Sequence, residues 1–169
     1  VFVNIDGAAQ PFEDYMATAY KEYEGWDFSK TALAHYQPFR FQANWKLVVE
    51  NFCDNYHVFM VHPALHDAQD VYRRTGMRPG SAHMFNEFVI GAEGLGLTVD
   101  PDAPVLPEFP NLSPEIRNVS PFCNLFPNAT LAIFPTYVNL FCYEPVSVDE
   151  TIMHVWFCFM DEAATGEED

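Results

Sequence analysis

The sequence has few positively charged residues. Its 169 residues include 8 Lys and Arg against 24 Asp and Glu, which gives a formal net charge of −16 at pH 7. Neutralising the phosphates of DNA or RNA, or docking on anionic lipid, requires a basic surface. The composition therefore predicts no nucleic-acid partner and no membrane partner. The acidic excess is typical of a solvated protein surface.

Cysteines are also few, and none of the four lies in a metal-binding pattern. They are widely spaced inside apolar segments, at Cys53, Cys123, Cys142 and Cys158. Because the chain contains no Cys-x-x-Cys pair and no Cys-x-His, it does not encode an iron–sulfur or zinc site by itself. Isolated buried thiols are typical of a cytosolic protein rather than of a disulfide framework, so we predict a cytoplasmic location.

Long apolar runs are absent as well. No stretch reaches the roughly 18 apolar residues of a membrane-spanning helix, and the length suits one domain with a substantial core. The sequence opens on an apolar run, VFVNID, without an initiator Met, and closes on the polar run TGEED. We interpret the chain as part of a longer polypeptide.

Two segments have helical periodicity. From Pro11 to about Glu24, aromatic and apolar residues are spaced for one helical face, and a glycine follows. From Trp45 to about Val61, apolar residues recur at spacings of three and four, and Pro63 is expected to stop this second helix.

The rest of the chain is predominantly β in character. Residues 1–5 and 36–43 look extended, and from Met84 onward segments rich in Phe, Val, Ile and Tyr alternate with Pro, Asn and Gly. Residues 91–121 hold many prolines and predict a long loop in which specificity varies. Helices early and strands late predict an α+β fold, an antiparallel sheet with helices packed on one face.

The stretch from 44 to 65, NWKLVVENFCDNYHVFMVHPAL, carries the candidate chemistry. It contains Asn51, Asp54, His57 and His62. At about 100° per residue, Asp54 and His57 share a helical face, whereas His62 lies about 140° from His57. Both imidazoles reach one metal only if the helix loosens or ends near His62, and the proline after it gives a reason for such a break.

These residue types leave several functions open. Two histidines and a carboxylate with open coordination positions are the arrangement of many non-haem Fe(II) oxygenases. On spacing alone Asp54 can be that carboxylate, or it can accept a hydrogen bond from a ligand imidazole. A zinc hydrolase is one alternative, and a ligand-binding domain whose histidines merely line a cavity is another. The remaining histidines, at positions 35, 66, 83 and 154, are interpreted as structural.

The spacing of ten residues adds a family resemblance. The run Asn44-Trp45-Lys46, then Glu50-Asn51-x-x-Asp54-x-Tyr56-His57-x4-His62-Pro63, closely resembles the catalytic-domain signature of Rieske-type aromatic-ring-hydroxylating oxygenases, large (alpha) subunit. The resemblance implies that residues 1–10 are the end of an upstream Rieske domain and a linker. It implies that residues 11–169 are a partial, helix-grip-like catalytic domain truncated at both ends.

The resemblance also implies roles for individual residues. His57 and His62 correspond to two ligands of a mononuclear Fe(II). Asp54 corresponds to an acidic residue that bridges toward a histidine ligand of the Rieske cluster in the neighbouring subunit, and Asn51 to a polar residue close to the iron. Tyr56 corresponds to a packing residue, and the third iron ligand, an Asp on a later helix, is expected beyond residue 169.

For the parent enzyme, the resemblance implies hydroxylation of a small organic substrate with dioxygen, by mono- or dioxygenation. Electrons come from NAD(P)H through a reductase, sometimes a ferredoxin, and then a Rieske [2Fe-2S] cluster in an N-terminal domain missing from this sequence. By analogy the parent is a homotrimer, and substrates of the family range from choline-like amines to aromatic hydrocarbons. The isolated chain, with an incomplete site and no electron source, is expected to be inactive.

Overall fold

A computed structural model describes residues 2–54, 56–67, 69–77, 79–90 and 106–160. Its helices and strands follow one another in the order α1 Phe12–Glu22, a 3-10 turn Phe28–Lys30, β1 Thr31–Phe41, α2 Trp45–Cys53, α3 Val58–Val61, α4 Pro63–Asp67, β2 Gln69–Met77, β3 Met84–Ile90, β4 Val119–Leu125, β5 Ala129–Phe134, β6 Tyr137–Ser147 and β7 Glu150–Met160. No helix of this described part is long and apolar enough to cross a membrane.

The seven strands form a single antiparallel sheet in the order β1-β7-β6-β5-β4-β3-β2. This confirms the predicted α+β class, and β1, which contains Pro38, lies at an edge as a proline in a strand predicts. The strand predicted at the N-terminus is wrong, because residues 2–5 pair with no strand of the described sheet. Within the predicted 91–121 loop, residues 106–118 form turns and irregular chain, and 91–105 lie outside the described residues.

The two faces of the sheet carry separate apolar cores. On one face, Met16 and Ala19 of α1 pack against residues such as Cys123 and Ile133. On the other, Val48 of α2 packs in a cluster that includes Ala132, Phe134, Phe141, Tyr143, Met153 and Val155. Since side chains alternate along a strand, neighbouring residues such as 132 and 133 belong to opposite cores. Helices α2 to α4 therefore share the face that carries the candidate site, and α1 covers the other.

The second helix begins as predicted but is much shorter. Asn44 caps it, because its side chain accepts a hydrogen bond from the backbone N–H of Lys46 and donates one to the carbonyl of Val148. The prediction of one helix as far as Val61 is wrong: α2 ends at Cys53, and two short helices follow. Pro63 does not only end a helix, since it is the first residue of α4, a position where its missing N–H costs nothing.

The first helix is held to the sheet by a buried histidine. His83 is fully buried, and its Nδ1 accepts a hydrogen bond from the backbone N–H of Phe126. The other ring nitrogen, Nε2, therefore carries the proton and donates to the carbonyl of Tyr15 at 2.9 Å. The Tyr15 hydroxyl in turn donates to the carbonyl of Phe126. Burial of the ring lowers the pKa of His83 below its ordinary value, so the neutral form is the one that folding selects.

We expect this ring to make the fold sensitive to acid. Below the unfolded-state pKa of about 6.5, the unfolded chain binds a proton at His83 that the folded chain does not. The free energy of unfolding therefore falls as the pH drops from 7 toward 5. The contribution of the neutral His83 ring to stability is fully present only above the unfolded-state pKa. In urea titrations at several pH values, the free energy of unfolding of His83→Gln should depend less steeply on pH than that of the wild type. The difference in slope should correspond to up to about one proton. An unchanged slope in that variant would rule out His83 as its source.

Candidate metal centre

The candidate site lies where α2 gives way to α3. Asp54 follows α2 in an extended conformation, with φ −96° and ψ 110°, so the chain leaves the helix axis there. His57 directly precedes α3, and His62, with φ −124° and ψ 63°, separates α3 from α4. Residue 55 lies outside the described part of the chain. Each of the two histidines thus lies at an interruption of helical structure.

The interruptions bring the two imidazole rings together. The ring centroids of His57 and His62 are 5.4 Å apart, with an interplanar angle of 73°. With metal–nitrogen distances of about 2.1 Å, two imidazoles that bind one ion have centroids about 4.5 Å apart at a right angle and about 5.4 Å apart near a tetrahedral angle. The separation seen here fits a shared ion, whereas a continuous helix would have directed the rings apart.

Both rings face one cavity of about 120 Å³. The cavity is lined by Asn51, Phe52, Asp54, His57, Val58, His62, Leu65, Phe88 and Phe122. All four residues selected from the sequence are present in this lining. The remaining wall is apolar, and Phe88 of β3 meets Phe122 of β4 edge-on with centroids 4.9 Å apart. The polar side chains therefore lie on the helical side of the cavity, and its sheet side is aromatic.

Asp54 is placed to orient His57. One carboxylate oxygen, Oδ1, accepts a hydrogen bond from the Tyr56 backbone N–H at 2.8 Å, and Oδ2 lies 3.4 Å from Nδ1 of His57. The Tyr56 N–H and then the His57 ring lower the pKa of Asp54, against an opposing effect of desolvation, so the carboxylate is ionised at neutral pH. A carboxylate beside Nδ1 favours the tautomer protonated there, which leaves Nε2 of His57 free to bind a metal.

The described residues supply only part of a complete metal site. They contain no group of three or more His, Cys, Asp or Glu side chains that could hold an ion. The donor set of two imidazoles with a carboxylate beside one of them fits iron or another metal that prefers nitrogen ligands. His57 and His62 therefore fit two positions of a mononuclear site, and a further ligand is needed to complete it.

Three of the other four histidines lie elsewhere, and the fourth, His66 on α4, is not among the residues that line the cavity. His154, on β7, has both ring nitrogens in hydrogen bonds: Nε2 donates to the Glu144 carboxylate at 2.8 Å, and Nδ1 is paired with the Tyr36 hydroxyl at 2.7 Å. His35 lies on the edge strand, and its ring approaches Phe157 at 5.8 Å. With His83 buried beneath α1, none of these three lines the cavity, which agrees with their interpretation as structural residues.

Exposed apolar side chains surround the site on its outer side. The exposed group consists of Tyr56, Phe59, Met60 and Val61. Tyr56, expected to be a packing residue beside the ligand, is 79% exposed and touches Phe59 edge-on with centroids 5.4 Å apart. Apolar side chains grouped on a surface are typical of regions that pack against other protein surfaces.

Sequence reasoning missed the sheet side of the cavity. Phe88 and Phe122 carried no signal in a single sequence, because both lie in strands rich in aromatic residues. Whether these two rings face the histidines depends on the register between β3 and β4. In this register Phe88 lies opposite Ser120, and Asn86 lies opposite Phe122. That register places alternate residues of both strands beneath the end of α2.

Comparison with known proteins identifies the family of this chain. The sequence model of the family described as ring hydroxylating alpha subunit (catalytic domain) matches residues 12–169. No curated protein sequence matches the chain.

Solved structures share the fold. The quaternary ammonium Rieske monooxygenase CntA, in complex with an inhibitor, superposes with a TM-score of 0.70 at 20% identity, over 95% of this chain and 40% of that one. The same protein with L-carnitine gives 0.67 at 19% identity, over 99% and 40%. Naphthalene 1,2-dioxygenase from Rhodococcus sp., bound to indole, gives 0.64 at 20% identity, over 94% and 43%. The chain thus spans less than half the length of each.

Proposed function

Because the chain belongs to the ring-hydroxylating alpha subunit family and matches its catalytic domain, we propose that it forms most of a mononuclear Fe(II) oxygenase centre. The parent enzyme hydroxylates a small organic substrate with dioxygen, by mono- or dioxygenation. The observation that carries the proposal is the convergence of the His57 and His62 rings on one cavity at a separation suited to a shared ion.

His57 and His62 would hold the iron, together with an Asp expected beyond residue 169. Iron held there would supply the redox chemistry that activates dioxygen. Asp54 holds the proton of the His57 imidazole on Nδ1, so that Nε2 stays available for the metal. Phe88 and Phe122 exclude water from the sheet side and favour an apolar part of the substrate. Asn51, at the cavity on α2, would donate a hydrogen bond to a polar group near the iron.

Electrons would come from NAD(P)H through a reductase or ferredoxin and a Rieske [2Fe-2S] cluster. We propose a homotrimer in which Asp54 faces the cluster of a neighbouring subunit. Two features support this: the Asp54 side chain is 50% exposed, and the apolar side chains of Met60 and Val61 nearby are exposed too. Inter-subunit electron transfer is described for the quaternary ammonium Rieske monooxygenase, whose fold is similar.

The arrangement of the parent polypeptide follows from the same proposal. Residues 1–10 would be the end of the Rieske domain and a linker, and residues 11–169 part of the catalytic domain. Four cysteines in the thiol form, of which Cys53 and Cys123 are buried, support a cytoplasmic location. The neighbours act on a quaternary ammonium compound in one case and carry naphthalene in their name in the other, so we propose an organic substrate without choosing between these classes.

Metal analysis tests the proposal against its two alternatives. We expect the intact protein, purified and reconstituted without oxygen, to bind mononuclear iron in addition to cluster iron. We expect it to couple NADH oxidation to oxygen consumption when a reductase is present. The isolated 169-residue chain, given iron and a chemical reductant, should form no hydroxylated product. Zinc without oxygen consumption would favour a hydrolase, and the absence of any bound metal would favour a simple ligand-binding domain.

A further inference from the structure

A buried amide meets the end of helix α2 from the sheet below. Asn86, on β3, is fully buried, and its Nδ2 donates a hydrogen bond to the carbonyl of Phe52 at 2.9 Å. Phe52 is the second-last residue of α2, and the last four carbonyls of a helix have no partner within it. A side chain 34 residues away in sequence therefore satisfies a carbonyl that the helix leaves open.

The same carbonyl decides whether the helix continues. In a continuous helix the Phe52 carbonyl would accept the backbone N–H of residue 56, four positions on. In this structure the Tyr56 N–H donates to the Asp54 side chain instead, at 2.8 Å, and the Phe52 carbonyl is taken by Asn86. The Asn86 amide thus replaces the donor of one helical hydrogen bond, and the Asp54 carboxylate replaces its acceptor. The helix can end there without leaving either backbone group unpaired.

The oxygen of the Asn86 side-chain amide shows that packing alone does not explain an asparagine at this position. Its Oδ1 is buried and has no hydrogen-bond partner within the described part of the chain. An aliphatic side chain in the same place, between aromatic neighbours such as Phe122, would avoid this unpaired oxygen. The donor function toward Phe52 is what an amide provides here and an apolar side chain does not.

We propose that Asn86 is a positioning residue of the metal centre. It occupies the Phe52 carbonyl, ends α2 at Cys53, and so frees the following segment to turn His57 toward His62. It does not touch the metal. This inference rests on the proposed function of the two histidines, because it assigns Asn86 a role in bringing them onto a common ion.

Thr151 offers a matched control at the opposite end of the helix. Its hydroxyl, also fully buried on the sheet, donates to the carbonyl of Ala43 at 2.8 Å, just before α2 begins. Asn86→Ala and Thr151→Ala each remove one buried hydrogen bond from a strand to the backbone at an end of α2. Only the first removes it at the end that leads to the histidines.

The test is Co²⁺ binding to the mononuclear site of the intact protein, measured by spectroscopic titration beside the thermal midpoint. We expect both variants to unfold at lower temperature. Only Asn86→Ala should also bind Co²⁺ more weakly, by about 10-fold or more, as is typical when support behind a metal ligand is lost. If Asn86→Ala does not fold, Asn86→Ser, whose hydroxyl is one bond too short to reach Phe52, serves in the same comparison.

Each outcome decides the proposal. Equal Co²⁺ affinity in the wild type and the Asn86 variant, or equal losses in the Asn86 and Thr151 variants, would show that the residue has only a structural role. In both cases the wild type binds Co²⁺ and the proposed function stands. A wild-type protein that binds neither Co²⁺ nor iron would instead overturn the metal centre itself, and the role of Asn86 with it.

Discussion

Replacement of His57 by Ala should remove iron from the mononuclear site of the intact protein while leaving the Rieske cluster in place. The His57 imidazole is one of two described rings that line the cavity with their centroids at a separation suited to a shared ion. Loss of a direct ligand should weaken metal binding more than the 10- to 100-fold typical of changes behind a ligand, so we expect about 100-fold or more. Metal analysis and the cluster absorption spectrum measure the two irons separately, and turnover should fall with the mononuclear iron.

His35→Ala is the matched control for that experiment. It also deletes one imidazole, but from the edge strand β1, where the ring lies against Phe157 and outside the cavity. We expect its iron content and turnover to match those of the wild type. The thermal midpoints of both variants show whether either change disturbs the fold. If the His57 variant kept as much mononuclear iron as the His35 variant, the proposed centre would be wrong.

Replacement of Asp54 by Asn should separate metal binding from electron delivery. Asn keeps an oxygen that can accept the Tyr56 N–H, but it removes the negative charge beside Nδ1 of His57. If Asp54 connects the iron to a neighbouring cluster and is not a ligand, most of the iron should stay bound. Steady-state turnover should nevertheless fall by about 10-fold or more, in the range found for groups hydrogen-bonded to metal ligands.

Cluster oxidation after rapid mixing of the reduced protein with substrate and oxygen would locate the defect. A slower loss of the reduced-cluster signal in Asp54→Asn, with iron retained, is the expected result. Asp67→Asn is the control, since it removes a carboxylate at the end of α4 that does not line the cavity. Loss of iron from the Asp54 variant, to the extent expected for His57→Ala, would instead make Asp54 a ligand.

The sequence identified the family, because its signal is local. The spacing of Asp54, His57 and His62 and the residues around them gave the family, which the match over residues 12–169 confirms. Asp54 meets His57 because the two are three residues apart, and that proximity holds in a helix or a turn. The roles of these residues in binding iron and passing electrons stay predictions.

Single-sequence reasoning was less successful for structure that depends on distant pairing. The apolar run at residues 2–5 has the composition of a strand, but it pairs with no strand of the described sheet. Strand β2, at Gln69–Met77, was not predicted at all, because its charged and polar residues lack a clear alternation. The aromatic wall of the cavity escaped for a related reason, since the register between β3 and β4 decides which side chains lie beneath α2.

By itself the sequence determined which atoms could bind a metal, and the tertiary structure decided that two of them meet. The periodicity from Trp45 to Val61 favours one continuous helix, in which His57 and His62 would diverge. In the fold, the Phe52 carbonyl bonds to Asn86 on a strand that follows much later in the chain, and the helix ends at Cys53. Helical periodicity depends only on residues a few positions apart in sequence. It therefore does not indicate that a residue such as Asn86, which becomes a neighbour only once the sheet has formed, competes for the Phe52 carbonyl.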